Sequence, residues 1–308
     1  MQTTGAPAGV EPRRSFSGDL IAGHWYVAAC LRDVKRRRPL RQLICGGEVE
    51  LSRDRDDQVS ALCVNHDRRL PCQVSEDLVW IYSGLNCQYE KPTTEVPRFG
   101  GPNGRVRFVA RVIIPAHQDD AVYGLLDPAH TPFVHRSPIW RGNGRLKHKR
   151  KNFEPSDLGF TMMPHAPVNS DIYKLIGGAI SVRIAFRLPG LRAEYIRNAK
   201  HTVLGLTALT PVNDKATILR QIFYWNTPVL AALKPVIGPV ARGFLQQDVD
   251  IMTHRSKNAA FGGKGMLVGD SDRQFLWYLQ LKKAWAAALA SGEPFSNPLE
   301  PATLQWRT

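Results

Sequence analysis

The segment Asp127-Pro128-Ala129-His130-Thr131-Pro132-Phe133-Val134-His135 sets a carboxylate and two imidazoles within one short stretch. Two neutral nitrogen donors and one carboxylate form the facial set that holds mononuclear Fe(II) with positions left open for substrate and oxygen. A carboxylate that can complete the set comes from a helix spanning Thr227 to Lys257, where Phe244, Asp248, Ile251, Met252 and Arg255 share one side. An unpaired carboxylate on that apolar face is costly unless it is protonated or meets a cation. Asp250 lies about 200° round the helix and faces away. His130, His135 and Asp248 are therefore the candidate metal ligands. Asp127, three residues before His130, is placed to accept that ring's N–H and fix its tautomer.

An unbroken helix would turn His135 about 140° away from His130. Pro132 supplies the break, because its ring and missing N–H disfavour continuation of the preceding turn. Asp127 and Pro128 also read as an N-cap followed by proline at the first helical position. On that reading the segment is a capped turn with two incidental histidines. His165, in Met-Met-Pro-His, reads either as pocket lining or as a hydrogen-bonded core histidine. His24, His117, His148, His201 and His254 read as surface or structural.

These residues need a scaffold, and the patterning is that of an α+β protein. Short apolar runs at His24–Ala29, Gln42–Cys45, Val49–Asp54, Val59–Val64 and Leu78–Tyr82 are separated by polar turns, the pattern of a small β domain. Leu85 to Asn103, with Pro92, Pro97, Gly100, Gly101 and Pro102, reads as a linker. Strands follow at Val106–Ile114, Ala179–Leu188, His201–Leu209 and Ala216–Tyr224, enough antiparallel sheet to enclose a pocket. A last helix, Asp270 to Ala290, turns Phe275, Leu276, Leu279 and Trp285 inward with Lys282 and Lys283 opposite.

At 308 residues and 43% hydrophobic content the chain can bury a large core, in one large domain or two modest ones. The longest apolar stretch, Val229 to Leu245, is interrupted by Lys234, Pro235, Gly238, Pro239 and Arg242, so no membrane span is expected. Residues 1–18 are rich in Gly, Pro, Ser and Thr without an apolar centre; they read as a disordered tail rather than a secretory signal, with the cytoplasm as location. The net charge of +14 draws on Lys35 to Arg38 with Arg41, and on Arg145 to Lys151. Neither run is interleaved with aromatics or set in a nucleic-acid-binding motif, so a solvated face or a docking site for an acidic protein is expected instead. Cys30, Cys45, Cys63, Cys72 and Cys87 form no regular framework and are expected as reduced thiols, buried or metal-bound.

Taken together, several of these stretches resemble the Rieske non-heme iron oxygenases, the α subunits of aromatic-ring-hydroxylating dioxygenases and related demethylase-like monooxygenases. The resemblance rests on His24-Trp25-Tyr26-Val27-Ala28, Ile44-Cys45-Gly46-Gly47-Glu48-Val49, Leu78-Val79-Trp80-Ile81-Tyr82, the Asp127 to His135 segment and Gln247-Asp248. It implies a small Rieske-like β domain over 19–90, a linker over 91–105, and a helix-grip (START-like) antiparallel-sheet catalytic domain over 106–308 with a long hydrophobic cavity. It also implies His130, His135 and Asp248 as ligands of a mononuclear Fe(II), and Asp127 as the bridge from an electron-donating cluster across a subunit boundary. The expected chemistry is O2-dependent hydroxylation or oxidative demethylation of a hydrophobic, aromatic or cyclic substrate. The expected partners are a ferredoxin or reductase and two further copies in a homotrimer.

The cluster half of the resemblance is incomplete. The family binds [2Fe–2S] through Cys-x-His and Cys-x-x-His on two loops. Here Cys63-Val64-Asn65-His66 is the single candidate pair, and the stretch between Leu62 and Leu78 is too short for both loops. Cys63 and His66 are therefore expected as a remnant, and Gly124 stands where the family has Asn. The alternative expectation is a cluster-less, non-catalytic relative that binds iron or a ligand.

Overall fold

The structure, a computed structural model, describes residues 19–87, 90–130, 134, 148–167, 176–260, 267 and 269–307. The first part builds two small antiparallel sheets from β1 (His24–Cys30), β2 (Leu40–Ile44), β3 (Gly47–Arg53), β4 (Val59–Cys63), β5 (Arg68–Leu70), β6 (Cys72–Ser75) and β7 (Leu78–Ser83). Their orders are β1-β7-β6 and β2-β3-β4-β5. Every residue of β1 and β7 is buried. The cause is that this sheet is covered on both faces, so its strands are continuously apolar. Trp25, Val27, Trp80 and Tyr82 point into one core, shared with the large sheet, whereas Tyr26, Ala28, Val79 and Ile81 point into another, shared with β2 to β5. A bulge between Val27 and Ala29 breaks this alternation, so Ala28 and Ala29 both face the second core.

The large sheet runs β15-β9-β10-β11-β12-β13-β14-β8, with β8 (Phe108–Ile114), β9 (His148–Ser156), β10 (Gly159–His165), β11 (Ser181–Arg187), β12 (Leu191–Arg197), β13 (Thr202–Pro211), β14 (Thr217–Trp225) and β15 (Ala302–Arg307). The described helices are α1 (Gln118–Leu126), α2 (Pro228–Ala232), α3 (Lys234–Ala260) and α4 (Arg273–Ser291). Helices and antiparallel sheets together make the mixed α+β architecture that the patterning predicts. One face of the large sheet, with Ala193, Leu206 and Ile222 in register, meets the small sheets. The opposite face, with Phe160, Phe186, Leu209, Leu219 and Ala110, meets α1, α3 and α4.

Two devices join the small sheets to the large one. Glu76 and Asp77, both with left-handed backbone (φ 52° and 60°), make the turn between β6 and β7. Their carboxylates accept N–H bonds from Phe99 (2.8 Å), Gly101 (2.9 Å) and Val106 (3.1 Å), which ties the linker stretch to this hairpin. Gly101 has no room for a side chain, since a Cβ there would stand 2.7 Å from the Tyr224 ring. The second device is Arg220 on β14, which is buried and donates to the carbonyls of Val27 (3.0 Å) and Ala28 (2.5 Å), to Thr210 Oγ1 (3.3 Å) and to Gln42 Oε1 (3.2 Å). The bulge in β1 turns those carbonyls toward it. Burial, and then Arg111, pull the Arg220 pKa down to about 10, so it remains charged at neutral pH.

The expected strands at β1, β2, β3, β4, β7, β8, β11, β13 and β14 are present with shifted ends. β5, β6, β9, β10, β12 and β15 are additional. In β9 the basic run hides the strand: Lys149 and Lys151 pair with buried Trp306 and Leu304, so cations occupy positions that apolar residues would mark. The predicted helix from Thr227 is interrupted at Leu233 into α2 and α3. Two helix faces also differ from expectation. Ile251 is 47% exposed rather than inward, and Lys282 turns into the core, where its Nζ binds both carboxylate oxygens of buried Asp119 (2.8 and 2.7 Å). Among the described residues, no helix is long and apolar enough to cross a membrane.

Candidate metal centre

The placement of α1 governs where the Asp127 segment starts. His117 caps its first turn, its Nδ1 accepting from Asp119 N–H at 3.1 Å. Asp119 in turn is held by Lys282 and by the Tyr278 hydroxyl (2.5 Å), both on α4. This buried cluster pins α1 to α4. Gly124 faces α3, where a Cβ would make an ordinary contact of 3.4 Å with Met252 Sδ. Met252 is one helical turn beyond Asp248 and Gly124 is three residues before Asp127, so the crossing directs the end of α1 and the Asp248 turn of α3 to the same side of the sheet.

At Asp127 the backbone leaves the helix (φ −71°, ψ 108°). Its Oδ1 accepts the Ala129 N–H at 2.8 Å, and Val134 N–H donates to the His130 carbonyl at 2.9 Å. Asp127 thus ends α1 and caps the turn that follows. The contact to the His130 ring comes from Asp127's carbonyl oxygen, 2.5 Å from Nδ1, in place of the carboxylate contact expected from the spacing. A carbonyl only accepts, so Nδ1 carries the proton and Nε2 of the neutral ring carries the lone pair a metal requires. Burial lowers the His130 pKa against the raising influence of Asp127, and the Arg192 cation adds to the lowering.

Asp248 is half-buried, and burial lifts its pKa to about 7. Asp250 is exposed and accepts from Gln246 Nε2 at 3.0 Å, facing away as the helix geometry predicts. His135 and Pro132 lie outside the described residues. Among the described residues no group of three or more His, Cys, Asp and Glu side chains is arranged to hold a metal ion.

The expectation of reduced thiols needs correction at Cys63. Cys30, Cys45 and Cys72 are free thiols, but Cys63 is disulfide-bonded and so offers no thiolate. Its companion His66 is exposed on the short turn after β4. His165 lines a depression of about 290 Å³ with Arg150, Lys151, Asn152, Met163 and Pro164, and its Nδ1 lies 3.0 Å from the Met163 carbonyl.

The helix-side face of the sheet carries polar residues that sequence reasoning did not single out. Arg192 and Glu194 form an ion pair at 3.2 Å, and Thr207 donates to Gln221 Oε1 at 2.6 Å. Beside them Phe108 and Phe223 set their rings 6.2 Å apart. In the sequence, Arg192 and Glu194 alternate with Leu191, Ala193 and Tyr195 as a solvent-facing set would. The available signal was β13, whose near-continuous apolar run requires cover on both faces and so buries its neighbours too.

No protein-family profile matches the sequence, and no curated protein matches it. Solved structures do. Dicamba monooxygenase bound to dicamba superposes with a TM-score of 0.69 at 17% identity, covering 89% of this chain and all of that one. The same enzyme with non-heme iron and dicamba gives 0.64 at 15% identity, again covering 89% and 100%. The terminal oxygenase of carbazole 1,9a-dioxygenase from Nocardioides aromaticivorans IC177 gives 0.61 at 13% identity, covering 86% and 95%. The chain has the fold of these oxygenases along nearly its whole length.

Proposed function

We propose that this chain is a Rieske-type non-heme iron oxygenase α subunit that hydroxylates or oxidatively demethylates a hydrophobic aromatic or cyclic substrate with O2. The observation that supports it most is the pairing of the oxygenase fold with a His130 ring whose Nδ1 is committed to the Asp127 carbonyl. His130, His135 and Asp248 are the ligands on this reading. The donor set suits iron: the ring presents Nε2, and Asp248 is a carboxylate that burial has made reluctant to ionise without a cation nearby. A mononuclear Fe(II) held there supplies the activation of O2. The protein's own part is positional. Asp127 caps the turn that presents His130, the Asp119–Lys282–Tyr278 cluster holds α1 in place, and Phe108 and Phe223 help to keep water from the substrate side. The assembly on this reading is a cytoplasmic homotrimer.

The residues present do not fit a [2Fe–2S] cluster. One Cys-x-x-His pair remains, and its Cys63 is in a disulfide. Electrons must therefore come from a separate ferredoxin or reductase, or from a different polypeptide that carries an intact cluster. That same disulfide favours a second reading, a non-catalytic relative that binds iron or a ligand. Metal and acid-labile sulfide analysis of anaerobically purified protein tests the proposal: the expected result is iron without sulfide or a Rieske EPR signal. His130→Ala and Asp248→Ala bring iron to background while Asp250→Ala retains it. Equal retention in all three variants overturns the ligand set. Oxygen uptake with a supplied ferredoxin and reductase separates the two readings.

A further inference from the structure

The first half of α3 is apolar on two opposite sides. Gly238, Leu245 and Met252, spaced by seven, form its buried side, Gly238 beside Phe108 of β8 and the other two in the helix-side core. Val236, Pro239, Val240 and Gly243, at i, i+3, i+4 and i+7, occupy the opposite side and are exposed. Val236 is 59% exposed and Val240 45%, and Val229 on α2 adds 42%. The outward side of a surface helix ordinarily carries charge. Here it stays uncharged until Asp250, and the two cations of this half, Lys234 and Arg242, flank the stripe.

Cations gather where α2 leaves the sheet. Arg107, just before β8, donates from Nε to the Trp225 carbonyl (3.3 Å) at the end of β14. Asn226 accepts the Thr202 N–H through Oδ1 (2.8 Å) and donates its own N–H to the Thr202 carbonyl (3.3 Å), which brings the β12–β13 turn and its exposed Lys200 alongside. Thr202 pairs with exposed Arg197. Arg197 and Arg183 both set their guanidinium groups against the Tyr195 ring, 5.2 and 4.3 Å from its centroid. Among the described residues no carboxylate forms an ion pair with Arg107, Arg183, Arg197, Lys200 or Lys234. Between Glu194 and Asp248 the sequence holds six Lys and Arg against one acidic residue, Asp214. Asp214 lies in the β13–β14 turn, at the opposite end of those strands. Because Gly238 stands beside Phe108 at the start of β8, the valine stripe and the cations share one end of the sheet.

We infer that this end of the molecule docks on an anionic lipid surface. Val229, Val236 and Val240 enter the apolar boundary of the bilayer, while Arg107, Arg197, Lys200 and Lys234 meet the headgroup phosphates. An uncharged apolar side flanked by cations is the pattern of a helix that lies in a membrane interface, and the excess of positive charge supplies the attraction to anionic lipid. A stable contact with a second protein buries about 800 Å² on each partner, whereas this stripe is a narrow ridge along two turns of one helix. The contact is peripheral, since no described helix is long and apolar enough to cross a membrane. It stands apart from the oxygenase reading, because His130, His135 and Asp248 take no part in it.

Flotation of the full-length protein with phosphatidylcholine vesicles, with and without an equal part of phosphatidylglycerol, tests the inference. The expected result is binding to the mixed vesicles that declines as salt rises, and little binding to phosphatidylcholine alone. Val236→Asp and Val240→Asp each lower affinity for the mixed vesicles about tenfold. Arg197→Gln combined with Lys200→Gln lowers it roughly thirtyfold, the loss of two cations near the surface. Ile113→Asp, at a 50% exposed residue near the far end of β8, leaves it unchanged. Wild-type protein that does not float with the mixed vesicles, equal binding to both vesicle types, or unaltered binding by the Val236 and Val240 variants overturns the inference. Sedimentation velocity on the same samples identifies the competing occupant: self-association that Val236→Asp abolishes, without vesicle binding by the wild type, assigns the stripe to a second copy of the chain and likewise overturns it.

Discussion

The two faces of the large sheet each carry an arginine, and the two are used in opposite ways. Arg220, on the face that meets the small sheets, is 4% exposed and surrounded by two carbonyls, a threonine hydroxyl and a glutamine oxygen. Arg192, on the helix side, keeps 26% of its side chain exposed and pairs with the Glu194 carboxylate at 3.2 Å. A buried cation with several neutral acceptors holds two layers together, since removing it would strand those acceptors without water. A partly exposed cation in an ion pair at the edge of solvent contributes little to stability. The helix side is therefore where exchangeable chemistry belongs, and the opposite side is where the chain is fastened to itself.

Substitutions that separate fastening from function sharpen this contrast. Arg220→Leu has the largest expected effect, a loss of about 3–5 kcal/mol in urea unfolding, because several buried acceptors lose their donor at once. A loss below about 1 kcal/mol would mean that the small sheets dock without it. Asp119→Asn comes next, at about 1.5–3 kcal/mol, since the partly buried Lys282 ammonium loses its charged partner; if iron content also falls, α1 placement by α4 governs the candidate metal centre.

The junction itself should show a pH dependence. His24 on β1 stacks on Trp285 of α4 with ring centroids 4.1 Å apart, and burial, then Arg187, pull its pKa down to about 3. The unfolded chain takes up a proton near pH 6.5 that the folded chain refuses until about pH 3. Stability should hence decline as pH falls through that window and be independent of this group above it. His24→Leu should flatten the acid limb of a stability-against-pH curve, and an unchanged limb would assign it to other groups. Arg192→Leu should be the mildest, shifting stability by less than about 1 kcal/mol. A loss as large as that of Arg220→Leu would erase the distinction between the two faces.

Much of the scaffold could be read from residue order alone. Alternating and continuous apolar runs located nine of the strands, because burial on one face or both leaves a direct imprint on composition. Of the six strands that escaped, two carry cations or an ion pair at covered positions: β9 with Lys149 and Lys151, and β12 with Arg192 and Glu194. For the site, the Asp127–His130 spacing and the opposed directions of Asp248 and Asp250 followed from local geometry. The atom of Asp127 that meets the His130 ring did not, since the carbonyl and the carboxylate are equally near in sequence. The inward turn of Lys282 was hidden as well, because a lysine on the outer face of one helix can still reach a carboxylate presented by another.

Residue order by itself determined the α+β class, the helical placement of Asp248 and the conjunction of Asp127 with His130, all of which depend on contacts within a few residues or on simple periodicity. Only the tertiary structure decided that Cys63 is oxidised, that Arg220 clamps the small sheets, and that Arg192, Thr207 and Gln221 form one row. Cross-strand register unites residues from three strands on a single face, and no local pattern in any one strand encodes which residues its neighbours will set beside it.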